Sequence, residues 1–455
     1  MKFLVVFALV LGLASLGVAQ FDYGDVIRRS LLFYEAQRTG VLPPTNRIPW
    51  RGNSFVTDQG LGGWSLAGGY FDAGDHVKFG FPFASMTTMM AWGMLDSRPG
   101  YERAGQWSFA IDALRWATDY MIRIHPSANE LYVQVGNGNE DHAFWGRPEQ
   151  WTGSNPRPFL RATTALPATE VACETAAALA AASMVFRGNG ETAYANTLLN
   201  HAIQLYSFGN NFRGSYSDSF PEVRDFYNSW SGFNDELLYS AAWLYRATGN
   251  AQYRTDYTNF WNQFGMGSRP SEISWDDKQA AAQILLAKID GAPQYVNAAQ
   301  AFCNWVVLDA PRTPLNLVFL SPWGSLRHAS NVAFGCLQLA QVGINPGPYR
   351  AFARQQIDYM LGSTGRSFVV GFGVNPPQRP HHTSSSCPNM PAPCDWSHFH
   401  APGPNPQVLH GALVGGPDIN DQWADNRDDY VTNEVAIDYN AAFQGALAEL
   451  TYLYQ

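Results

Sequence analysis

Residues 167–206 read PATEVACETAAALAAASMVFRGNGETAYANTLLNHAIQLY. An alanine-rich run over 167–186 stops at Gly188, and a second helical run over 191–206 stops near Gly209. Alanine is the best helix former, and glycine just past a run of helix formers ends it. Two helices joined by so few residues make a helical hairpin. The same punctuation recurs in both directions. Helices are expected at about 22–38, 83–95, 105–124, 233–247, 251–263, 275–289, 294–307, 328–342, 348–361 and 434–454. Gly249, Gly343 and Gly362 sit just past ends, and Pro293 and Pro348 at starts. Within 105–124, Ala110, Leu114, Ala117, Met121 and Ile124 fall three or four apart, as one helix face requires. Only Leu131 to Val135 and Val369 to Val374 read as short strands, the rest of 131–166 and 363–432 as irregular loop.

About twelve helices with no linker and no fixed period argue against an open repeat array and predict one closed all-α barrel. Inner helices should be apolar all round and outer ones amphipathic. The long loops lie at a rim, where function usually resides. Closing the ring sets the first and last helices side by side, so the loop after the first faces the segment before the last.

Composition narrows the function. A hydrophobic share of 46% supplies a sizeable core, and a formal charge of -9 argues against nucleic acid as a partner. Aromatics reach 14%, with 15 Trp, and charged residues only 15%, a surface suited to a neutral polar ligand such as carbohydrate. Met1-Lys2, the apolar run from Phe3 to Ala14 and the small residues up to Ala19 read as a secretory signal over 1–19. No later run reads as 18 apolar residues, so a secreted chain without a membrane span is expected. Five cysteines leave at least one unpaired. Cys387 and Cys394 could close a small ring, whereas Cys173, Cys303 and Cys336 fall on helical patterns and read as buried thiols.

The chemistry concentrates in Gly68-Gly69-Tyr70-Phe71-Asp72-Ala73-Gly74-Asp75-His76, just before a helix. Two carboxylates three residues apart can share a water or separate their pKa values, which suits a general base. An Asx-rich turn that caps the helix is the plainer alternative.

Three stretches resemble signatures of the family nine glycoside hydrolases, the endoglucanases of bacteria, plants and animals. Gly69 to His76 is similar to that family's aspartate motif. Ser367-Phe368-Val369-Val370-Gly371-Phe372-Gly373-Val374-Asn375-Pro376-Pro377 with Pro380-His381-His382 is similar to a second signature. Trp423-Ala424-Asp425 with Tyr430, Glu434, Ala436 and Asn440-Ala441 is similar to a third. The resemblance spans nearly the whole mature chain and is closest to insect, termite-like members, which consist of the catalytic domain alone. It implies an (α/α)6 barrel, a single catalytic domain over 20–455, and a secreted, monomeric cellulase. Such an enzyme cuts internal β-1,4-glucosidic bonds of cellulose and related β-glucans with inversion. One carboxyl then protonates the leaving oxygen while another activates water on the opposite face.

By this resemblance Glu434 is the general acid, Asp75 the general base and Asp72 its helper. His142, Trp145, Tyr227, Trp323, Arg327, His381 and Tyr439 would line the cleft, although Arg327 reads equally as an ion-pair partner. Ser231, Gly232, Asp235, Glu236 and Asp276 would hold a structural Ca2+ through hard oxygens. A helix N-cap with dipole-favoured acids is the other reading of that stretch. Thr383 stands where the family has arginine, which implies a lost sugar contact that Arg379 could replace. An inactive carbohydrate binder, or a related glycosidase acting on xylan, are the competing functions.

Overall fold

The computed structural model describes residues 21–455, so the expected signal over 1–19 lies outside it. Among the described residues, twelve helices have eleven residues or more: α1 (Tyr23–Ala36), α2 (Gly80–Asp96), α3 (Trp107–Arg123), α4 (Thr169–Gly188), α5 (Thr192–Asn211), α6 (Asn234–Thr248), α7 (Ala251–Gln263), α8 (Gln279–Ile289), α9 (Pro293–Leu308), α10 (Ser325–Gln341), α11 (Pro346–Leu361) and α12 (Ile437–Tyr454). Local chemistry sets their ends. The Asp22 side chain caps α1 by accepting from Asp25 N at 2.9 Å. Gly249, at φ 67°, closes α6 in the left-handed region that glycine adopts without strain.

The even-numbered helices are buried over most of their length and form the inner ring; the odd-numbered ones keep an exposed face. Each inner helix packs on the next, and α12 packs on α2, which closes an (α/α)6 barrel. That closure depends on two glycines. A Cβ on Gly93 of α2 would come within 2.8 Å of the Gly445 Cα of α12. α4 is long and apolar enough to cross a membrane, but nearly all of it is buried inside the barrel.

At one end of the barrel a charged knot ties five inner helices. Asp96 of α2 accepts from Arg246 of α6 and, at 2.7 Å, from Lys288 of α8. Lys288 also donates to Gln338 (2.6 Å) and Gln341 (2.8 Å) of α10, and Gln341 donates to Glu449 of α12 at 2.6 Å. Breaking such a buried set leaves an uncompensated charge, a strongly destabilising event.

The other end carries the long loops and a three-stranded antiparallel sheet. It comprises β1 (Lys78–Phe79), β2 (Leu131–Val135) and β3 (Phe159–Ala162) in that order, with Lys78 opposite Val135. Only β2 was legible, because two- and four-residue strands are too short to show alternation. The strand expected at 369–374 does not form; Val369 makes a single bridge to Leu413.

The thiols need one correction. Cys387 and Cys394 are bonded and Cys173 is free and buried, as expected, but Cys303 of α9 and Cys336 of α10 form a second disulfide. Helical periodicity shows which face a cysteine is on. It does not show which helix lies opposite.

Candidate active site

The aspartate loop is pinned between the first and last helices. Phe71 N donates to Gln37 O just past α1 (2.8 Å), and Ile437 N at the start of α12 donates to Asp72 O (2.8 Å). Gly74 sits where a side chain cannot: a Cβ would lie 2.5 Å from His381 O. Its carbonyl instead accepts from Thr383 N (2.9 Å) and Thr383 Oγ1 (2.7 Å). The glycine therefore serves close backbone packing rather than approach to a ligand. Glu434 reaches the same place from the far end of the chain. It lies three residues before α12, with φ −59° and ψ 151°, so the expected place in the first helical turn is not observed. Backbone bonds from Gly415 N to Glu434 O and from His381 N to Asn433 O, both 2.9 Å, hold it.

Three carboxyl groups thus meet, each in a different environment. Asp72 is fully buried; its Oδ2 accepts from the Tyr227 hydroxyl, while Oδ1 has no protein donor among the described residues. Burial, then the charges of Asp75 and Asp438, push Asp72 well above the usual carboxylate range. Asp75 is partly exposed, and burial, then Asp141, push it well up too. Both Trp323 Nε1 (3.0 Å) and the Tyr439 hydroxyl (3.1 Å) donate to Glu434 Oε2. Burial nonetheless holds Glu434 above its ordinary value. Arg327 pairs with Asp438 at 3.1 Å and lies 5.2 Å from the centre of the Tyr439 ring, so the ion pair, one of its two expected roles, is formed.

The remaining expected residues form the walls at different depths. His142 is exposed, with Nδ1 donating to Gly138 O at 2.7 Å. His381 donates from Nδ1 to Arg427 O at 2.7 Å, which leaves Nε2 as its acceptor. Trp145, only 5% exposed, is not at the surface; it packs behind His381, with ring centroids 5.4 Å apart. Trp323 is 45% exposed and adjoins the Tyr430 ring at 5.5 Å, forming an open aromatic platform. Thr383 is 5% exposed, and its hydroxyl is engaged with Gly74 and His76. Sequence reasoning also missed Asp438 and Asp141. The i, i+4 spacing of Glu434 and Asp438 was visible, but the arginine that pairs with Asp438 comes from α10.

The expected metal loop lies before α6. Asp276 accepts from Trp230 N (2.9 Å) and Ser231 N (3.0 Å), and Asp235 accepts from Lys278 N (2.6 Å). Among the described residues, the two buried carboxylate oxygens of Glu236 have no N–H or hydroxyl donor and lie beside the Asp235 carboxyl. Burial pushes Asp235 and Glu236 up, and Asp276 to about 6. Buried acids with unused oxygens suit a hard cation.

A helical barrel whose rim gathers two aspartates and a glutamate offers the groups that a glycosidase-type acid–base site requires. Comparison with known proteins agrees. The sequence model of Glycosyl hydrolase family 9 matches residues 23–447, and the chain belongs to that family. It is 42% identical to endoglucanase B of Cellulomonas fimi over 95% of its own length, and spans 42% of that relative. With endoglucanase A of Bacillus pumilus it shares 40% identity over 97% of its length and 68% of the relative's. Among solved structures, an endoglucanase of the termite Nasutitermes takasagoensis superposes with a TM-score of 0.94 at 52% identity, covering 96% of this chain and all of the other. A cellulase of C. cellulolyticum in complex with cellobiose superposes at 0.88 with 33% identity, again covering 96% of this chain and all of the other.

Proposed function

We propose that the protein is a secreted, monomeric endoglucanase whose single catalytic domain, over 20–455, cuts internal β-1,4-glucosidic bonds of cellulose and related β-glucans with inversion. The observation that carries this is the convergence of Asp72, Asp75 and Glu434, from opposite ends of the chain, beside Trp323 and Tyr439. Glu434 is the general acid. Burial keeps it protonated to higher pH than a free glutamate, and its two donors on Oε2 are ready to stabilise the charge left after proton transfer. Asp75 is the base: less enclosed than Asp72, it takes the proton of the attacking water. Asp72 orients that water through Oδ1, while Tyr227 fixes its other oxygen. Crowded carboxylates ionise one at a time, so a proton retained by the more buried Asp72 leaves Asp75 free as base. Trp323 offers an aromatic face to a sugar ring, and His142 and His381 offer polar edges.

Ser231, Gly232, Asp235, Glu236 and Asp276 would hold calcium as a structural ion, joining the loop before α6 to the loop before α8. It would supply positive charge among buried acids and take no part in the hydrolysis.

Proton NMR of cello-oligosaccharide products tests the mechanism: the α-anomer should appear first. Asp75→Ala and Glu434→Ala should each lose about 10²–10⁴-fold in activity. Retention of configuration, or normal turnover in either variant, would overturn the assignment.

A further inference from the structure

One buried group beside the base has no part in the scheme above. Asp141 is 3% exposed, and its carboxylate, that of Asp75 and a ring nitrogen of His142 lie within 4.8 Å of one another. Asp141 Oδ1 accepts the backbone N–H of His76 at 3.2 Å. Its Oδ2 lies 3.5 Å from His76 Nδ1. His76 is wholly buried among the rings of Phe71, Phe144 and Trp151, at 5.3, 5.9 and 6.3 Å between centroids. Its other nitrogen, Nε2, is 3.0 Å from Thr383 Oγ1.

Hydrogen-bond bookkeeping fixes the protons. The single hydroxyl proton of Thr383 goes to Gly74 O at 2.7 Å, so toward His76 the threonine oxygen can only accept, and Nε2 donates. With Nε2 turned to Thr383, Nδ1 faces the Asp141 carboxylate.

We propose that Asp141 is a positioning residue for the base: held by the backbone N–H of His76 and faced by that residue's ring, which Thr383 orients, it sets the field in which Asp75 takes up its proton. This rests on reading Asp75 as the base. Burial pushes the Asp141 carboxyl up, but the charge and hydrogen bonds of His76 more than offset that and hold it below the usual range. Asp141 thus stays ionised and follows burial as the main influence raising Asp75. The other titratable or charged groups facing this group are Asp72, Glu434 and His142, Arg157, which donates to His76 O and pairs with Asp58, and His382 behind His76. All remain in the variants below.

The test is the pH dependence of kcat/KM on cellotetraose. Asp141→Asn removes a negative neighbour, so the ascending limb, where the base loses its proton, should move to lower pH by about one unit. His76→Gln should move that limb when Asp141 is present and leave it unchanged in the Asp141→Asn background, because His76 acts on Asp75 through Asp141. Should His76→Gln fail to fold, Thr383→Val, which removes the acceptor for Nε2, takes its place with the same dependence on Asp141. A limb that stays put in Asp141→Asn, or shifts that simply add in the double variant, would overturn the proposal. Asp75→Ala separates the two readings. If it is inactive while Asp141→Asn leaves the limb unmoved, only the role of Asp141 is wrong; if it turns over normally, Asp75 is not the base.

Discussion

Tyr439→Phe removes one oxygen atom from the surroundings of the acid and little else. The ring stays buried against Arg327, and Glu434 Oε2 keeps the Trp323 donor at 3.0 Å while losing the hydroxyl at 3.1 Å. A hydrogen bond to an ionised group contributes about 1.5–3 kcal/mol. It acts on the charged form, so its loss raises the pH at which Glu434 gives up its proton. At 1.36 kcal/mol per pH unit the descending limb of kcat/KM should move up by about 1–2 units, nearer one because Trp323 partly compensates. The rate should fall at the same time. If about half the charge has developed on Glu434 in the transition state, half of that energy is lost, which is roughly 3- to 10-fold in kcat. Steady-state kinetics on cellotetraose from about pH 4 to 9, with thermal melts alongside, measure both. A rate loss with an unmoved descending limb, or a limb that moves down, would mean that Glu434 is not the group whose ionisation ends activity.

Three further outcomes follow from named contacts. Burial raises Asp75 above its unfolded value, so the folded chain loses stability as pH rises through that carboxyl. Asp75→Asn should therefore melt roughly 1–3 °C above the parent at pH 7, and the gain should vanish below the usual carboxylate range, as scanning calorimetry can follow. Replacing Cys303 and Cys336 by serine opens a cross-link between residues 33 apart and should cost about 3–4 kcal/mol, read from denaturant unfolding. An unchanged midpoint would show that the bridge adds nothing. Chelation should lower the melting temperature, and Glu236→Gln should remove that sensitivity; a chelator-insensitive melt with no metal in the purified protein would favour a simple helix cap.

Much of this protein was determined by its sequence alone, for a local reason. Alanine-rich runs punctuated by glycine and proline place twelve helices to within a few residues, because helix ends depend on neighbours in the chain. The family signatures likewise single out Asp72, Asp75 and Glu434, the carboxyl groups that the barrel brings together. What the chain could not disclose is who faces whom. Cys303 looks like any buried thiol until α9 is laid against α10, and Arg327 stays ambiguous until Asp438 meets it. Nothing local to Thr383 shows that its hydroxyl bonds the Gly74 carbonyl. Asp141 shows no distinguishing pattern of its own; it matters because the closed ring and the short rim sheet press it between His76 and Asp75. Local propensity acts through covalent neighbours, whereas charge pairing, burial and proton sharing act through space, and only the closed barrel decides which groups are neighbours there.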